Sequence, residues 1–461
     1  VSVLYCKKEM SDDATMAPTA TGWSLYDKYL AVLLFAYGCV LFKQHVIDRP
    51  ANTKKADNNG SAPGSIESTD DKSAPLFKRF QREFLVVFLT MMAADWMQGP
   101  YVYALYAHYG FSRTDNGILF IAGFGSSLVF GTWAGPIADS RGRKFACILY
   151  GITYTLSCMT KHFPDFTILM VGRLLGGVAT SILWSSFESW MVSEHNSRGF
   201  GPNQLNSTFS QMTAFNGIVA IASGFVAQWA VDFVGHPVAP FDVSALCLVL
   251  GTGFIHFSWS ENFGVQSKGV VAQMSDAARA VVQSPVIFLV GLQQALFEGA
   301  MYTFVFMWTP ALQKDGVKIP HGLIFACFMI ACSLGGTLFG LVAGLPAYRL
   351  LLFVYAGAAA CMCVPMVTEE AGPIMGAFIA FELLVGLFWP AIGTLRSEQV
   401  PEHCRATVIN LFRVPLNLIV CGVLYFQGSM DIGSVFRFCA AFHGLAVLAS
   451  LALASFIGKG N

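Results

Sequence analysis

Charge is scarce in this chain of 461 residues. Only 12% of the residues are charged and the formal net charge is zero, whereas 55% are hydrophobic. Soluble domains carry about 25% charged residues, and disordered chains combine low hydrophobicity with high net charge. The chain also lacks the basic surplus that is typical of nucleic-acid-binding proteins. The composition excludes these classes and predicts an integral membrane protein with no nucleic-acid partner.

Motifs for metal and enzyme chemistry are missing as well. The twelve cysteines form no CxxC pair, and most lie inside apolar runs, where they pack as small hydrophobic side chains. Cys361 and Cys363 are too close together for the usual spacing of zinc ligands. The sequence contains no GxxxxGK[ST], GxSxG or HExxH motif. We expect no metal, no cofactor and no enzymatic activity, so any transport is secondary.

Long apolar segments are abundant. A first run covers residues 29–42, and about twelve further segments follow. Continuous runs of this length predict membrane-spanning helices, whereas a membrane barrel would show short alternating segments. The segments after the first lie at about 83–108, 117–138, 145–161, 166–191, 206–231, 240–259, 285–311, 321–344, 349–368, 373–395, 406–427 and 432–457. The predicted fold class is an all-α polytopic membrane protein.

The spacing of these segments divides the chain into five parts. We predict an N-terminal segment with one additional transmembrane helix (1–45), a cytoplasmic disordered linker (46–82), a six-helix half (83–259), a cytoplasmic inter-half linker (260–284) and a second six-helix half (285–461). Val1 is not a methionine, and Met10 offers an alternative start, which leaves residues 1–9 in question.

Basic residues set the predicted orientation. With the linker 46–82 in the cytoplasm, most of the 28 Lys and Arg residues lie in cytoplasmic loops, as the positive-inside rule requires. The N-terminus is then outside and the C-terminus inside.

The two halves share short matching stretches. Phe215–Val219 matches Leu416–Val420, and Leu183–Trp184 matches Phe388–Trp389 at equivalent places in each half. These matches favour a duplicated six-helix unit, an arrangement common in secondary transporters.

A polar loop, Gly135–Lys144, separates the second and third helices of the bundle. Gly142 permits a tight turn, and Asp139 can accept from a helix N-terminus. The pattern resembles the loop signature of the major facilitator superfamily, whose Asp and Arg brace the two halves in one state. The resemblance implies a major-facilitator-type bundle in which Asp139, Gly142 and Arg143 are gate residues. The equivalent loop, Gly340–Arg349, lacks the Asp.

Stretches in both halves are similar to the molybdate-anion transporter family, which also carries a hydrophobic segment ahead of its first acidic-aromatic helix. The similar stretches are Ala94–Tyr103, Phe187–Trp190, Gln294–Glu298, Phe306–Pro310 and Asn410–Leu416. The resemblance implies a transporter, with a tetrahedral oxyanion such as molybdate as its substrate class.

Several ionisable side chains fall within the predicted helices and need partners or a watery cavity. In the superfamily the first, fourth, seventh and tenth helices line the central cavity, and here they carry such groups. Buried carboxyl groups can carry protons, so we predict four proton-coupling residues: Asp95, Glu188, Glu298 and Glu382. His443 either joins such a relay or is a satisfied structural group.

Arginine suits an oxyanion because its forked donors match the acceptor oxygens. The predicted substrate-binding residues are Arg413, flanked by Asn410 and Asn417 on one helical face, then Arg173, Gln98 and Tyr103. The alternatives stay open: Arg413 in an ion pair with Glu298 or Glu382, Arg173 in packing or in the proton transfer associated with the fourth-helix arginine motif that Arg173 and Gly177 resemble, and Gln98 and Tyr103 as helix–helix contacts.

The membrane potential constrains the mechanism. Moving one charge across 100 mV changes the free energy by about 2.3 kcal/mol. The entry of a dianion into a negative interior therefore costs about twice that free energy. Uptake therefore needs co-transported cations, most simply protons. Together with this argument, the family resemblance implies a monomeric proton-coupled molybdate transporter in the lipid bilayer of the plasma membrane or an internal membrane. The alternatives are sulfate, nitrate or a sugar as substrate, or a sensor that no longer transports.

Overall fold

The computed structural model describes residues 24–43, 70–264, 270–314, 317–342, 344–401 and 405–457. In these ranges the chain forms helices and no strand, which confirms the predicted all-α class. The α-helices are α1 Leu25–Phe42, α2 Asp70–Gln98, α3 Val102–His108, α4 Arg113–Arg141, α5 Arg143–Thr160, α6 Phe166–Ser197, α7 Pro202–Val234, α8 Ala239–Ser258, α9 Val270–Gln283, α10 Pro285–Leu312, α11 His321–Val342, α12 Ala347–Val367, α13 Ala371–Gln399, α14 Arg405–Phe426 and α15 Ile432–Ile457. Short 3₁₀ turns, Gly99–Tyr101 and Gln427–Ser429, follow α2 and α14.

Most of these helices can cross a membrane. Of the described helices, ten are long and apolar enough, and α4 is an eleventh if its two bent parts count as one span. The two remaining long helices, α2 and α5, begin with charged residues but pack inside the bundle, α2 against α7 and α8, and α5 against α6 and α8. The protein is a multi-pass integral membrane protein.

Local chemistry fixes the ends of several helices. Ser24 and Asp27 form a capping box at the start of α1, and Ser112 and Asp115 form another at the start of α4. Such caps satisfy backbone N–H groups that have no partner inside the helix. At the C-terminal end of α7, Gly235 adopts a φ of +77°, a left-handed conformation that favours glycine.

The two halves pack in the same pattern. In the first half α2 packs against α7 and α8, α4 against α6, and α5 against α6 and α8. In the second half the equivalent helices repeat this pattern: α10 packs against α14 and α15, α11 against α13, and α12 against α13 and α15. The halves meet through α7 on α11 and α4 on α14. The short sequence matches between the halves therefore accompany a common helix arrangement.

The two halves are joined at the end of the bundle where α4 begins, which is the predicted outer side. The Arg113 guanidinium donates to the carbonyl oxygens of Gln427, at 2.8 Å, and Met430, and Gln427 Nε2 donates to Arg113 O at 2.8 Å. At the α7–α11 crossing, a Cβ on Gly322 would lie 2.4 Å from the carbonyl oxygen of Gly224. Only glycine allows this close approach.

A second contact closes the same end. Gln228 Oε1 on α7 accepts from the Tyr101 hydroxyl at 2.8 Å and from the backbone N–H of Gly322 at 3.1 Å. The bonds of Arg113 and Gln427 and the bond from Gly322 to Gln228 therefore join the two halves at the same end of the bundle.

The additional helix α1 packs against α11 of the second half. The Tyr29 hydroxyl donates to the carbonyl oxygen of Gly372, at the start of α13, at 3.0 Å. In the inter-half linker the chain forms α9, which packs against α14 and α10. The predicted residues 1–23 and the linker residues 44–69 lie outside the described ranges.

The predicted linker 46–82 differs from the structure in its last part, because residues 70–82 are helical. Phe77 and Phe80 are buried there and pack against Phe200 with ring centroids 5.4 and 5.6 Å apart. Arg79 and Glu83 form an ion pair of 2.8 Å one turn apart. Because α2 gains tertiary packing for its first turns, it begins well before the apolar segment.

Candidate functional site

Glu298 lies in a polar cluster of the second half. Its side chain on α10 is 5% exposed, and Oε1 accepts from Gln294 Nε2 at 2.7 Å. Gln294 Oε1 accepts in turn from Arg396 Nη1 on α13 at 3.4 Å. The charges of Arg396 and Arg413 both act on the Glu298 carboxyl group. This predicted proton carrier therefore shares its surroundings with two guanidinium groups.

Arg396 is a member of the cluster that sequence reasoning missed. The predicted apolar segment 373–395 ends one residue before it, whereas α13 continues to Gln399. Phe388, two turns earlier on the same helix face, stacks on Phe297 of α10 at 4.0 Å. This spacing along α13 is the signal that places Arg396 toward α10.

Arg413 lies on α14 with the two predicted amides on the same side. It is exposed, as is Asn410 one turn before it. Asn417 Nδ2 donates to the backbone oxygen of Arg413 at 2.7 Å. In the described part of the chain, neither Arg413 nor Arg396 forms an ion pair within 4.0 Å. Their guanidinium groups thus keep donors for another acceptor.

Tyr302 connects this cluster to the first half. Its ring packs edge-on against Phe124 of α4, with centroids 5.3 Å apart. The charges of Glu298, Arg413 and Asp95 all act on its hydroxyl. Tyr302 lies one turn beyond Glu298 on α10, a spacing that places both side chains on one helix face. Sequence reasoning did not select it.

Arg173 on α6 packs against α4. Its Nε donates to the carbonyl oxygen of Leu119 at 3.2 Å, and its guanidinium lies 4.6 Å from the ring centroid of Phe120. Phe120 contacts Phe306 of the second half at 5.0 Å. A Cβ on Gly123 would lie 2.6 Å from Arg173 Nη2, so this glycine makes room for the guanidinium. Arg173 therefore lies beside the junction of the halves, stacked on an aromatic ring.

Asp95 faces the interior of the first half. Its Oδ1 accepts from the Tyr154 hydroxyl of α5 at 2.6 Å, and Tyr150 on the same helix donates to the carbonyl oxygen of Met91. Asp95 therefore has a direct hydrogen-bond partner on a neighbouring helix. Its link to the cluster in the second half is electrostatic, because its charge acts on the Tyr302 hydroxyl.

Glu188 and Glu382 lie in contrasting surroundings. Glu188 is exposed on α6. Glu382 on α13 is 5% exposed, acts electrostatically on Cys332 of α11, and has no hydrogen-bond or ion-pair partner among the residues described. A buried carboxyl group without a partner is tolerated at much lower cost when it is neutral.

Three further predicted residues lie apart from the charged cluster. Gln98 Nε2 donates to the carbonyl oxygen of Ala94 within α2 at 3.0 Å. The Tyr103 ring packs against Phe306 at 5.1 Å, across the junction of the halves. His443 is fully buried, 5.1 Å from the ring of Phe297, and neither ring nitrogen has a partner in the described part of the chain.

The gate loop is built from contacts inside the first half. Asp139 Oδ1 pairs with the Arg143 guanidinium at 2.8 Å, and Arg143 Nη1 donates to the carbonyl oxygen of Ser189 at 3.1 Å. Gly142 has a φ of +114°, a conformation that side chains rarely adopt. The predicted tight turn at Gly142 is therefore confirmed.

The acceptor at the N-terminus of α5 is Glu261, and the expectation that Asp139 fills this place is wrong. The Glu261 carboxylate accepts from the backbone N–H groups of Lys144 at 2.8 Å and Phe145 at 3.0 Å. A carboxylate at this end also complements the helix dipole. Because Asp139 is already engaged by Arg143 one turn away, the cap comes from a residue distant in sequence.

Comparisons with known sequences point to one kind of protein. A family model described as sugar transporters with 12 TM segments matches residues 63–388. The molybdate-anion transporter of Xenopus tropicalis is 34% identical over 415 residues, which cover 85% of this chain and 90% of that protein. The molybdate-anion transporter of Danio rerio is 33% identical over 425 residues, 82% of this chain and 88% of that protein.

Solved structures share the fold at low sequence identity. An auto-inhibited POT family peptide transporter matches with a TM-score of 0.69 at 10% identity, covering 82% of this chain and 97% of that one. The nucleoside transporter NupG matches with a TM-score of 0.62 at 12% identity, covering 81% and 98%. These likenesses confirm the predicted all-α polytopic fold.

Proposed function

The chain belongs to the molybdate-anion transporter family, and from that membership we propose that it carries molybdate, or a tetrahedral oxyanion of the same charge, across a membrane. The single observation that supports this most is the open Arg413 guanidinium in the second half, which has no described ion-pair partner and lies on one helix face with Asn410 and Asn417. Forked donors beside amides fit a small ion with four acceptor oxygens.

Arg173 is the proposed contribution of the first half to substrate binding. It reaches α4 next to Phe120, whose ring contacts Phe306 of the second half. An anion held between Arg413 and Arg173 would contact both halves, which is what a substrate must do to couple its binding to their relative motion. Gln98 and Tyr103 are proposed to line the same passage.

Alternating access is the proposed transport cycle. The halves are joined at the predicted outer end by Arg113 and Gln228, while the gate residues Asp139, Gly142 and Arg143 contact their own half. This arrangement supports an inward-facing state. Closing the cytoplasmic side would then bring the gate loop against the second half.

Protons are the proposed coupling ions. A dianion entering against a negative interior requires co-transported positive charge. Glu298 and Glu382 are buried carboxyl groups that can be neutral in one state and charged in another, and Asp95 and Glu188 are further proposed carriers. The plasma membrane is the proposed location.

A sugar is the second candidate substrate, because the matching family model is described as one of sugar transporters. A sugar site is expected to rely on amides and aromatic rings more than on arginine. The two arginines, Arg413 and Arg173, favour the oxyanion.

The test is uptake of trace molybdate into cells that lack their own carrier. Wild type is compared with Arg413→Ala and with the control Arg437→Ala, which removes an exposed arginine of α15. Saturable uptake that is lost in Arg413→Ala, kept in the control and abolished by a protonophore supports the proposal, and excess sulfate or glucose ranks the competing substrates. Absence of molybdate uptake by correctly inserted wild type refutes the proposed substrate.

A further inference from the structure

We propose that Arg396 is a second cation of the oxyanion site and that protonation of Glu298 sets the charge of this site. The inference rests on the proposed function as an oxyanion transporter. Arg396 on α13 and Arg413 on α14 act on Glu298 from two different helices. Gln294 links Glu298 to Arg396 through hydrogen bonds of 2.7 and 3.4 Å.

The donors of Arg396 are largely unused. A guanidinium has five N–H donors, and here one of them makes a hydrogen bond of 3.4 Å to Gln294. Arg396 Nε is buried and has no partner among the described residues. A buried donor left without an acceptor is costly. An oxyanion beside Glu298 would supply that acceptor, as it would for Arg413.

The charges of the cluster then decide when a dianion binds. Two arginines and one ionised carboxylate carry a net charge of +1, whereas the same cluster carries +2 when Glu298 holds a proton. A dianion is neutralised only in the second case, and a buried charge without compensation is strongly disfavoured. The proton comes from the solution on the side that the site faces, binds a Glu298 carboxylate oxygen, and leaves with the anion on the opposite side.

The other groups around Glu298 do not change the charge of the cluster, so the protonation of Glu298 determines it. Tyr302 lies on the same helix as Glu298, and Tyr355 lies on α12. The Glu298 charge acts on the hydroxyl group of each. From α15, His443 packs on Phe297, the residue before Glu298, inside aromatic surroundings. The charged groups facing Glu298 in the described structure are therefore the two arginines, and no second carboxylate shares the site.

The experiment is molybdate binding to the purified full-length protein, measured by calorimetry over a series of pH values. The variants are Glu298→Gln, Arg396→Gln and Arg396→Lys, with Arg437→Gln as the matched control. Wild-type affinity is expected to fall about tenfold per pH unit once Glu298 is ionised in the free protein, because binding takes up one proton. Glu298→Gln is expected to bind tightly at every pH and to lose this slope.

Arg396→Gln is expected to weaken binding roughly tenfold or more, as loss of a charge-assisted hydrogen bond does, with Arg396→Lys between it and wild type. Arg437→Gln is expected to match wild type. Circular dichroism and gel filtration check folding, and Arg396→Lys keeps the test decisive if Arg396→Gln unfolds. Unchanged affinity in both Arg396 variants, or a wild-type pH slope in Glu298→Gln, overturns this inference alone. A folded wild type that binds no molybdate overturns the proposed function and this inference with it.

Discussion

Arg113→Ala is expected to shift the protein toward an outward-open state. The Arg113 side chain donates from α4 to the carbonyl oxygens of Gln427 and Met430, at the end of α14, and so ties the halves together on the predicted outer side. Hydrogen bonds from a charged donor are worth about 1.5–3 kcal/mol each. With water replacing part of that in the open state, we expect a net loss of about 2 kcal/mol, or about a 30-fold change in the ratio of closed to open outer side.

The assay is labelling by a membrane-impermeant maleimide from outside. Asn116→Cys serves as the reporter because Asn116 is 1% exposed beside this contact, and the same chain without the reporter corrects for native cysteines. Arg113→Ala is expected to raise the labelling rate of the reporter strongly. The control Arg437→Ala, which removes an arginine that interacts with Asp431 within the second half, is expected to leave it unchanged. Equal labelling rates with and without Arg113 would refute the assignment of this contact as an outer closure.

Three further outcomes are expected. Gly142→Ala should destabilise the protein by about 1–3 kcal/mol, because φ is +114° and the new Cβ would lie 2.5 Å from Glu261 Cδ; a thermal unfolding midpoint equal to wild type would contradict this. Tyr154→Phe should lower the same midpoint by removing the 2.6 Å hydrogen bond to Asp95, a loss of about 1.5–3 kcal/mol. Glu382→Gln should keep the midpoint, since the carboxyl group has no described partner, while molybdate uptake loses its response to a protonophore; a large drop in stability would show that Glu382 is held as an ion.

Composition and hydropathy were sufficient for the helical fold, because a bilayer demands long apolar segments with their backbone groups satisfied internally. They were also sufficient for Gly142, whose place in a short polar loop predicts a tight turn. Composition and hydropathy failed at residues 70–82. There Phe77 and Phe80 contact Phe200, a residue that is far away in the sequence. Polar composition alone predicts a linker there, because composition carries no information about such contacts.

The polar cluster shows the same division between local and distant information. Gln294 and Glu298 are four residues apart on one helix, a spacing that by itself brings the two side chains together. The approach of Arg396 depends on how α13 crosses α10, and the partnership of Asp95 with Tyr154 depends on how α5 packs beside α2. Hydropathy along the chain carries no information about such crossings.

The close contact of Gly224 with Gly322 sits off-centre along α7, and this has a mechanical consequence. At a rise of 1.5 Å per residue, Gly224 lies about 33 Å from the Pro202 end of the helix and about 15 Å from the Val234 end. If the proposed alternating-access cycle pivots at this contact, one rotation of α7 moves its Pro202 end about twice as far as its Val234 end. The proposed cycle would then open the outer side of the bundle less widely than the cytoplasmic side.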